Sequence, residues 1–168
     1  DELPLSQITE LGFMVKFLAA ASPLSIQAHP TKHLALEGFD LEKSNGIDLK
    51  DPSRIFKDKN HKPEILIAVS PFRVLSGFRP IEEINNQLKE LASKDEVFDS
   101  WSQSANTLSE HFDYVFENLD QKTMDALKHH SDLVRYLADY YPNDKGLGVA
   151  FLLNEIFLAP GEAVFLPA

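Results

Sequence analysis

From Ile81 to Tyr141 the apolar residues of this sequence return at helical spacing, and on either side they gather into short runs of strand type. Ile81, Ile84, Leu88 and Leu91 follow Pro80, a residue that opens helices without losing a needed N–H. Met124, Leu127, Val134, Leu137 and Tyr141 carry the same spacing over a second, longer helix, with Leu108 to Phe116 as a shorter one between. Before the block, Phe13 to Ala21, Leu24 to His29, Ile65 to Val69 and Arg73 to Arg79 read as strands. Thr31 can cap a short helix through about Gly38. The polar stretch from Asp40 to Asn60, with turn signals at Asn45-Gly46 and Asp51-Pro52, reads as a surface loop with a turn or two of helix. After the block, Gly146-Leu147-Gly148 starts a short apolar helix to Leu153. Ile156 to Leu158, the turn Ala159-Pro160-Gly161 and Glu162 to Leu166 read as a hairpin. A helical block that interrupts a β framework predicts a sandwich or jelly roll carrying an insertion.

Two short patterns inside that framework carry chemistry. In a strand, side chains two apart share a face, about 6.6 Å from each other. Gln27-x-His29 and Lys62-x-Glu64 therefore each present two polar heads to one surface, with His61 alongside. If the two strands are neighbours, an amide oxygen, an imidazole and a carboxylate converge as a partial zinc shell, leaving room for water or substrate. Spacing alone leaves other readings open. Gln27 also reads as a buried glutamine bonded to a neighbouring strand, and Glu64, after Pro63, as an exposed carboxylate at a strand start. Ser25, two before Gln27, shares its face, where a backbone hydrogen bond would equally satisfy it. His33, His111, His129 and His130 read as solvated surface histidines. Lys32 and Arg79 are loose candidates for a phosphate cation, with solvated charge as the alternative.

Composition narrows the partners. A chain of 168 residues with 43% hydrophobic content can bury one substantial core. A net charge of −10 repels nucleic acid and anionic membrane, so neither is expected as a partner. An anionic substrate would be repelled as well, so its site must carry local cations. No apolar run approaches the roughly 20 residues of a membrane span, and no signal-peptide pattern opens the sequence. Without cysteine there is neither a disulfide framework nor a thiolate metal ligand. Cytoplasm is the expected compartment.

The segments FMVKFLAAASPLSIQAHPTK, DKNHKPEILIAVSPF, YYPNDKGLG and FLLNEIFLAPGEAVFLPA, in that order, resemble the type I phosphomannose isomerase (mannose-6-phosphate isomerase) family. The resemblance implies a mainly β fold, a cupin-type jelly-roll barrel with an α-helical insertion, as part of a larger two-cupin enzyme. Residues 1–79 would form the first part of the catalytic barrel, 80–145 the helical insertion, and 146–168 the return to the barrel. Matched residue by residue, the family's zinc ligands fall on Gln27, His29 and Glu64, with a further histidine ligand and a substrate-binding arginine expected beyond Ala168. Lys62 and His61 fall among its acid–base residues, and Ser25 and Lys62 among its substrate contacts. Asn154 and Glu162 also match family positions, while reading equally well as a structural cap and a turn residue.

The activity implied is zinc-dependent interconversion of mannose 6-phosphate and fructose 6-phosphate, with a small sugar phosphate as partner and a monomer at full length. The start at Asp1 and the apolar run from Ala163 to Ala168 agree with a central portion of a longer chain. A different class competes: a non-catalytic metal-binding cupin that senses a sugar phosphate. Another metal cupin, such as an oxygenase, would offer more histidines and take iron or manganese.

Overall fold

In the computed structural model, which describes residues 12–167, the stripes of the helical block face one another and close a core. Asp1 and Ala168, on which the expectation of a longer chain rests, lie outside the described residues. The order is α1 (Lys32–Ser44), β1 (Glu64–Ile67), β2 (Phe72–Phe78), α2 (Ile81–Lys94), α3 (Asp99–Ser104), α4 (Leu108–Glu117), α5 (Gln121–His130), α6 (Asp132–Ala138), α7 (Gly146–Leu152), β3 (Leu153–Leu158) and β4 (Ala163–Leu166). Ile84 and Leu88 of α2, Trp101 of α3, Val115 of α4, Leu127 of α5 and Leu152 of α7 are fully buried together. In α2 the buried residues recur every three or four positions, so one face buries while the other stays wet, whereas α7 is buried at every position from Leu147 to Leu152.

Local chemistry sets where these helices start and stop. Thr107 and Glu110 form a reciprocal capping box at the start of α4. Asp120 caps α5, its carboxylate accepting from Thr123 N at 2.8 Å. The single longer helix expected through Met124 and Tyr141 is two. Ser131, extended at φ −132° and ψ 113°, ends α5 and caps α6 by accepting from Val134 N at 3.2 Å. A serine that bonds the backbone in a non-helical conformation breaks a helix that spacing alone would continue. Helix α1 also runs further than Gly38, through Ser44.

His111 departs from its expected place on the surface. It is fully buried on α4, where its Nδ1 accepts from Trp101 Nε1 at 3.0 Å and its Nε2 lies 2.8 Å from Asn85 Oδ1. An indole N–H can only donate, so Nδ1 is the acceptor and Nε2 carries the proton toward Asn85. One imidazole thereby ties α2, α3 and α4.

The strands pair differently from the expected hairpin. β3 pairs with β2, and β4 with β1, each antiparallel, forming two two-stranded sheets. The pairings Glu64–Leu166, Ile67–Ala163, Phe72–Leu158 and Leu75–Glu155 fall on one unbroken diagonal, so both sheets are arms of a single ribbon. Between the arms, Ala68 N donates to Glu162 O at 2.9 Å and Gly161 N to Ala68 O at 2.7 Å. Gly161, at φ 91°, supplies the left-handed residue that this bend needs. Further out, a bulge at Ser76-Gly77 is held by the Asn154 amide, which donates to the carbonyls of Ser76, Gly77 and Phe78 at 3.2, 3.1 and 3.0 Å.

The expected mainly β class and cupin-type barrel are therefore corrected. The described residues are 45% helical and 13% strand, and they close no barrel. Phe13 to Ala21 and Leu24 to His29, read as strands, form no ladder and run as irregular chain. Strand propensity commits a segment only where a neighbouring edge takes up its N–H and C=O groups, and no described strand lies along these two. No described helix is long and apolar enough to cross a membrane.

Candidate functional site

The segment that carries Ser25, Gln27 and His29 is anchored from outside its own sequence. Tyr141, at the end of the α6 region, donates its hydroxyl to Pro23 O at 2.6 Å. Spacing assigns Tyr141 only to a helical stripe, so nothing local could have announced this tether. Immediately after His29 and Pro30, Thr31 accepts from Leu34 N at 3.3 Å and turns the chain into α1. Glu64 is the first residue of β1, held opposite Leu166 of β4.

These two chain segments meet. His29, mostly buried, brings its Nε2 to 3.8 Å from Glu64 Oε2. That is too far for a hydrogen bond and leaves both atoms with bonding capacity. The other ring nitrogen, Nδ1, is buried without a partner. A buried unpaired imidazole nitrogen costs on the order of 1–3 kcal/mol, which an incoming ligand or donor would relieve. Lys62 completes the group, its Nζ 3.0 Å from Glu64 Oε1. The Lys62 hydrogen bond holds the Glu64 carboxyl below its ordinary range, against a smaller opposing effect of burial, with the charges of Lys62, His29 and Lys16 adding to it. Glu64 is thus an anion with one oxygen bonded to an ammonium and the other turned toward an imidazole.

Of the six residues singled out from sequence, His29, Lys62 and Glu64 are brought together. Gln27, Ser25 and His61 are exposed on the two segments that bear them. Among the described residues, no cluster of three or more His, Asp or Glu side chains forms a metal cage. The donor set is an imidazole and a carboxylate in proximity, with the Gln27 amide two residues from the imidazole. A metal fits this set when it takes His29 and Glu64 and recruits a neutral oxygen; harder oxygen donors and one nitrogen lie within zinc's usual choice.

The looser candidates separate. Lys32 is exposed at the start of α1. Arg79 is engaged: it donates to Gln87 Oε1 and, at 2.7 Å, to Phe151 O, and its guanidinium lies 5.0 Å from the centre of the Phe151 ring. It holds β2 to α7, while its Nε is buried without a partner. Glu162 accepts from Ala159 N at 2.7 Å within its own turn.

Residues 2–81 match the family described as phosphomannose isomerase type I, catalytic domain. A mannose-6-phosphate isomerase of Shigella flexneri is 36% identical over 172 residues, spanning 94% of this chain and 44% of that protein. Its counterpart in Homo sapiens is 33% identical, again over 94% of this chain and 42% of the relative. Among solved structures, mannose 6-phosphate isomerase from Salmonella typhimurium bound to substrate (f6p) and zinc superposes with a TM-score of 0.74 at 32% identity. It covers 90% of this chain and 42% of that one. The chain spans less than half the length of these relatives.

Proposed function

The chain belongs to the type I phosphomannose isomerase family, and from that premise we propose that it contributes the metal-binding part of a zinc-dependent isomerase interconverting mannose 6-phosphate and fructose 6-phosphate. One observation carries the reading beyond the family name. Glu64 stands 3.8 Å from His29 and 3.0 Å from Lys62, so an imidazole from one stretch of sequence meets a carboxylate and an ammonium from another.

Gln27, His29 and Glu64 are the residues that would hold zinc, and the ion would stabilise negative charge as it develops on the C1 and C2 oxygens of the sugar. The reaction moves the C2 proton to C1 and the O2 proton to O1, so it needs a group that accepts and returns protons at hydrogen-bond distance. Lys62 and His61 are the candidates on this chain. Lys62, bonded to Glu64 as an ammonium, can donate to a sugar oxygen, and it can accept the C2 proton only after giving one up. The same cation offsets part of the repulsion that a net charge of −10 imposes on a phosphate ester. Ser25 and Lys62 are proposed as substrate contacts, the hydroxyl serving as a short hydrogen-bonding head for a sugar oxygen.

The test uses the protein at its complete natural length. Turnover of mannose 6-phosphate should vanish after exhaustive dialysis against a chelator and return on adding one equivalent of zinc. Turnover that survives metal removal would overturn the zinc-dependent reading.

A further inference from the structure

Glu42 and Arg54 have no place in the chemistry above, yet they make a dense polar cluster outside it. Arg54 is buried in a loop that is otherwise largely exposed. Its Nε donates to Phe56 O at 2.8 Å, Nη2 to Phe39 O at 3.2 Å and Nη1 to Ile47 O, while its guanidinium stacks 4.6 Å from the Phe39 ring centre. Glu42, on α1, accepts from Ile55 N with one oxygen and from Phe56 N with the other, both at 2.9 Å, and sits 3.7 Å from Arg54 Nε. The Phe56 ring rests on Gly38 of the same helix, so closely that a Cβ there would lie 2.4 Å from Phe56 Cε2. Lys59 continues the hold, with Nζ 2.6 Å from Asp40 Oδ1.

These contacts have a direction. The chain leaves α1 at Ser44, and residues 54–59 then lie back along the helix against Glu42, Gly38 and Asp40. It continues through His61 and Lys62 to Glu64, which faces His29 just before the start of the same helix. Both halves of the candidate site thus hang from one rigid element of 13 residues, about 20 Å long at the usual rise. His29 is fixed to one end by the Thr31 cap, and the His61–Glu64 segment by the Arg54–Glu42–Phe56 hold.

We propose that Glu42, Arg54 and Gly38 are positioning residues that set where Glu64 and Lys62 stand relative to His29. The catalytic consequence rests on the reading of His29 and Glu64 as metal ligands; the geometric claim does not. A buried guanidinium with three backbone acceptors fixes loop carbonyls in direction as well as distance, which an ammonium cannot reproduce. Gly38 is required because any side chain would displace the Phe56 ring.

The experiment takes Glu42→Gln, Arg54→Lys and Gly38→Ala in the protein at its complete natural length, with Val134→Ala in the helical core as a control for lost stability. Zinc affinity is read by competition with a chelator, site geometry by the visible spectrum of the cobalt(II) form, and His29 by its imidazole ¹⁵N signals without metal. The three clamp variants should lose zinc affinity about 10- to 100-fold, the range seen when supports of metal ligands are removed. They should also alter the cobalt spectrum, lower kcat more than they raise KM, and shift the His29 signals. Val134→Ala should lower the melting temperature while leaving all four readouts in place. Folded clamp variants with unchanged zinc affinity, cobalt spectrum and His29 signals would overturn the proposal. So would failure of all three to fold while Val134→Ala folds, because the cluster would then be ordinary core. If the unaltered protein binds neither zinc nor cobalt, the metal reading falls. The positioning claim is then decided by the metal-free His29 signals, and unchanged signals overturn it.

Discussion

Glu64 accepts from Lys62 with one oxygen and turns the other toward His29, so each neighbour can be removed with a distinguishable result. His29→Ala removes the one nitrogen donor among the proposed ligands Gln27, His29 and Glu64. We expect a protein at full length to lose most of its bound zinc, since three or four ligands in fixed geometry select that metal. Elemental analysis showing unchanged zinc would refute the assignment. Lys62→Met should keep the zinc but lower kcat by about two orders of magnitude or more, the usual scale for losing an acid–base group. Near-normal kcat in steady-state assays would demote Lys62 to binding or structure. The contrast follows from placement: the imidazole is mostly buried against the carboxylate, while the ammonium approaches that carboxylate from the solvent side.

At the scale of elements, the helical block depends on close approaches and on one buried imidazole. A Cβ on Gly148 of α7 would lie 2.8 Å from Leu119 Cδ2 and 2.9 Å from Val115 Cγ1. Gly148→Ala gains helix propensity of about 1 kcal/mol, but overpacking a filled core costs about 1–3 kcal/mol, and the stiff, buried Val115 has no room to yield. The variant should melt lower than the parent in a thermal scan. His111 predicts a pH dependence. Burial holds its pKa below 6.5, against the smaller raising effect of the Glu110 charge. The unfolded chain therefore binds this proton more readily than the folded one. The stability involved is fully present above pH 6.5 and is lost as pH falls from there through the depressed folded value. Urea midpoints between pH 7.5 and 5 should fall more steeply in the parent than in His111→Gln, which has no group to titrate. Parallel slopes would remove His111 from the account.

Over the whole molecule, apolar surface is divided unevenly. The helical core is closed, whereas Ile65, Ile67 and Phe165 share the exposed face of the β1–β4 arm at 64%, 59% and 61% accessibility, with Ile65 directly opposite Phe165. Strand periodicity puts Glu64 and Leu66 on the other, partly buried face. No described residue covers the apolar side, and open strands with apolar faces invite association. Residues 1–168 expressed by themselves should self-associate as concentration rises in sedimentation velocity, and Ile65→Lys with Phe165→Lys should suppress it. The same span should bind zinc more weakly than the protein at complete length. A monodisperse span with undiminished zinc affinity would contradict both expectations.

What the sequence determined by itself is local. The stripe Ile84, Leu88 and Leu91 placed α2, and Thr31 placed the start of α1. Such signals are readable because helix and strand periods are fixed by backbone geometry over a few residues. The tertiary structure alone decided that β3 pairs with β2 instead of β4, that His111 is buried, and that Tyr141 reaches back to Pro23. It alone folded the loop carrying Arg54 onto α1. Each of these joins residues far apart in sequence, and no local spacing encodes them. A strand-like run becomes a strand only if another edge accepts its hydrogen bonds, which is why Leu24 to His29 has strand residues and no ladder.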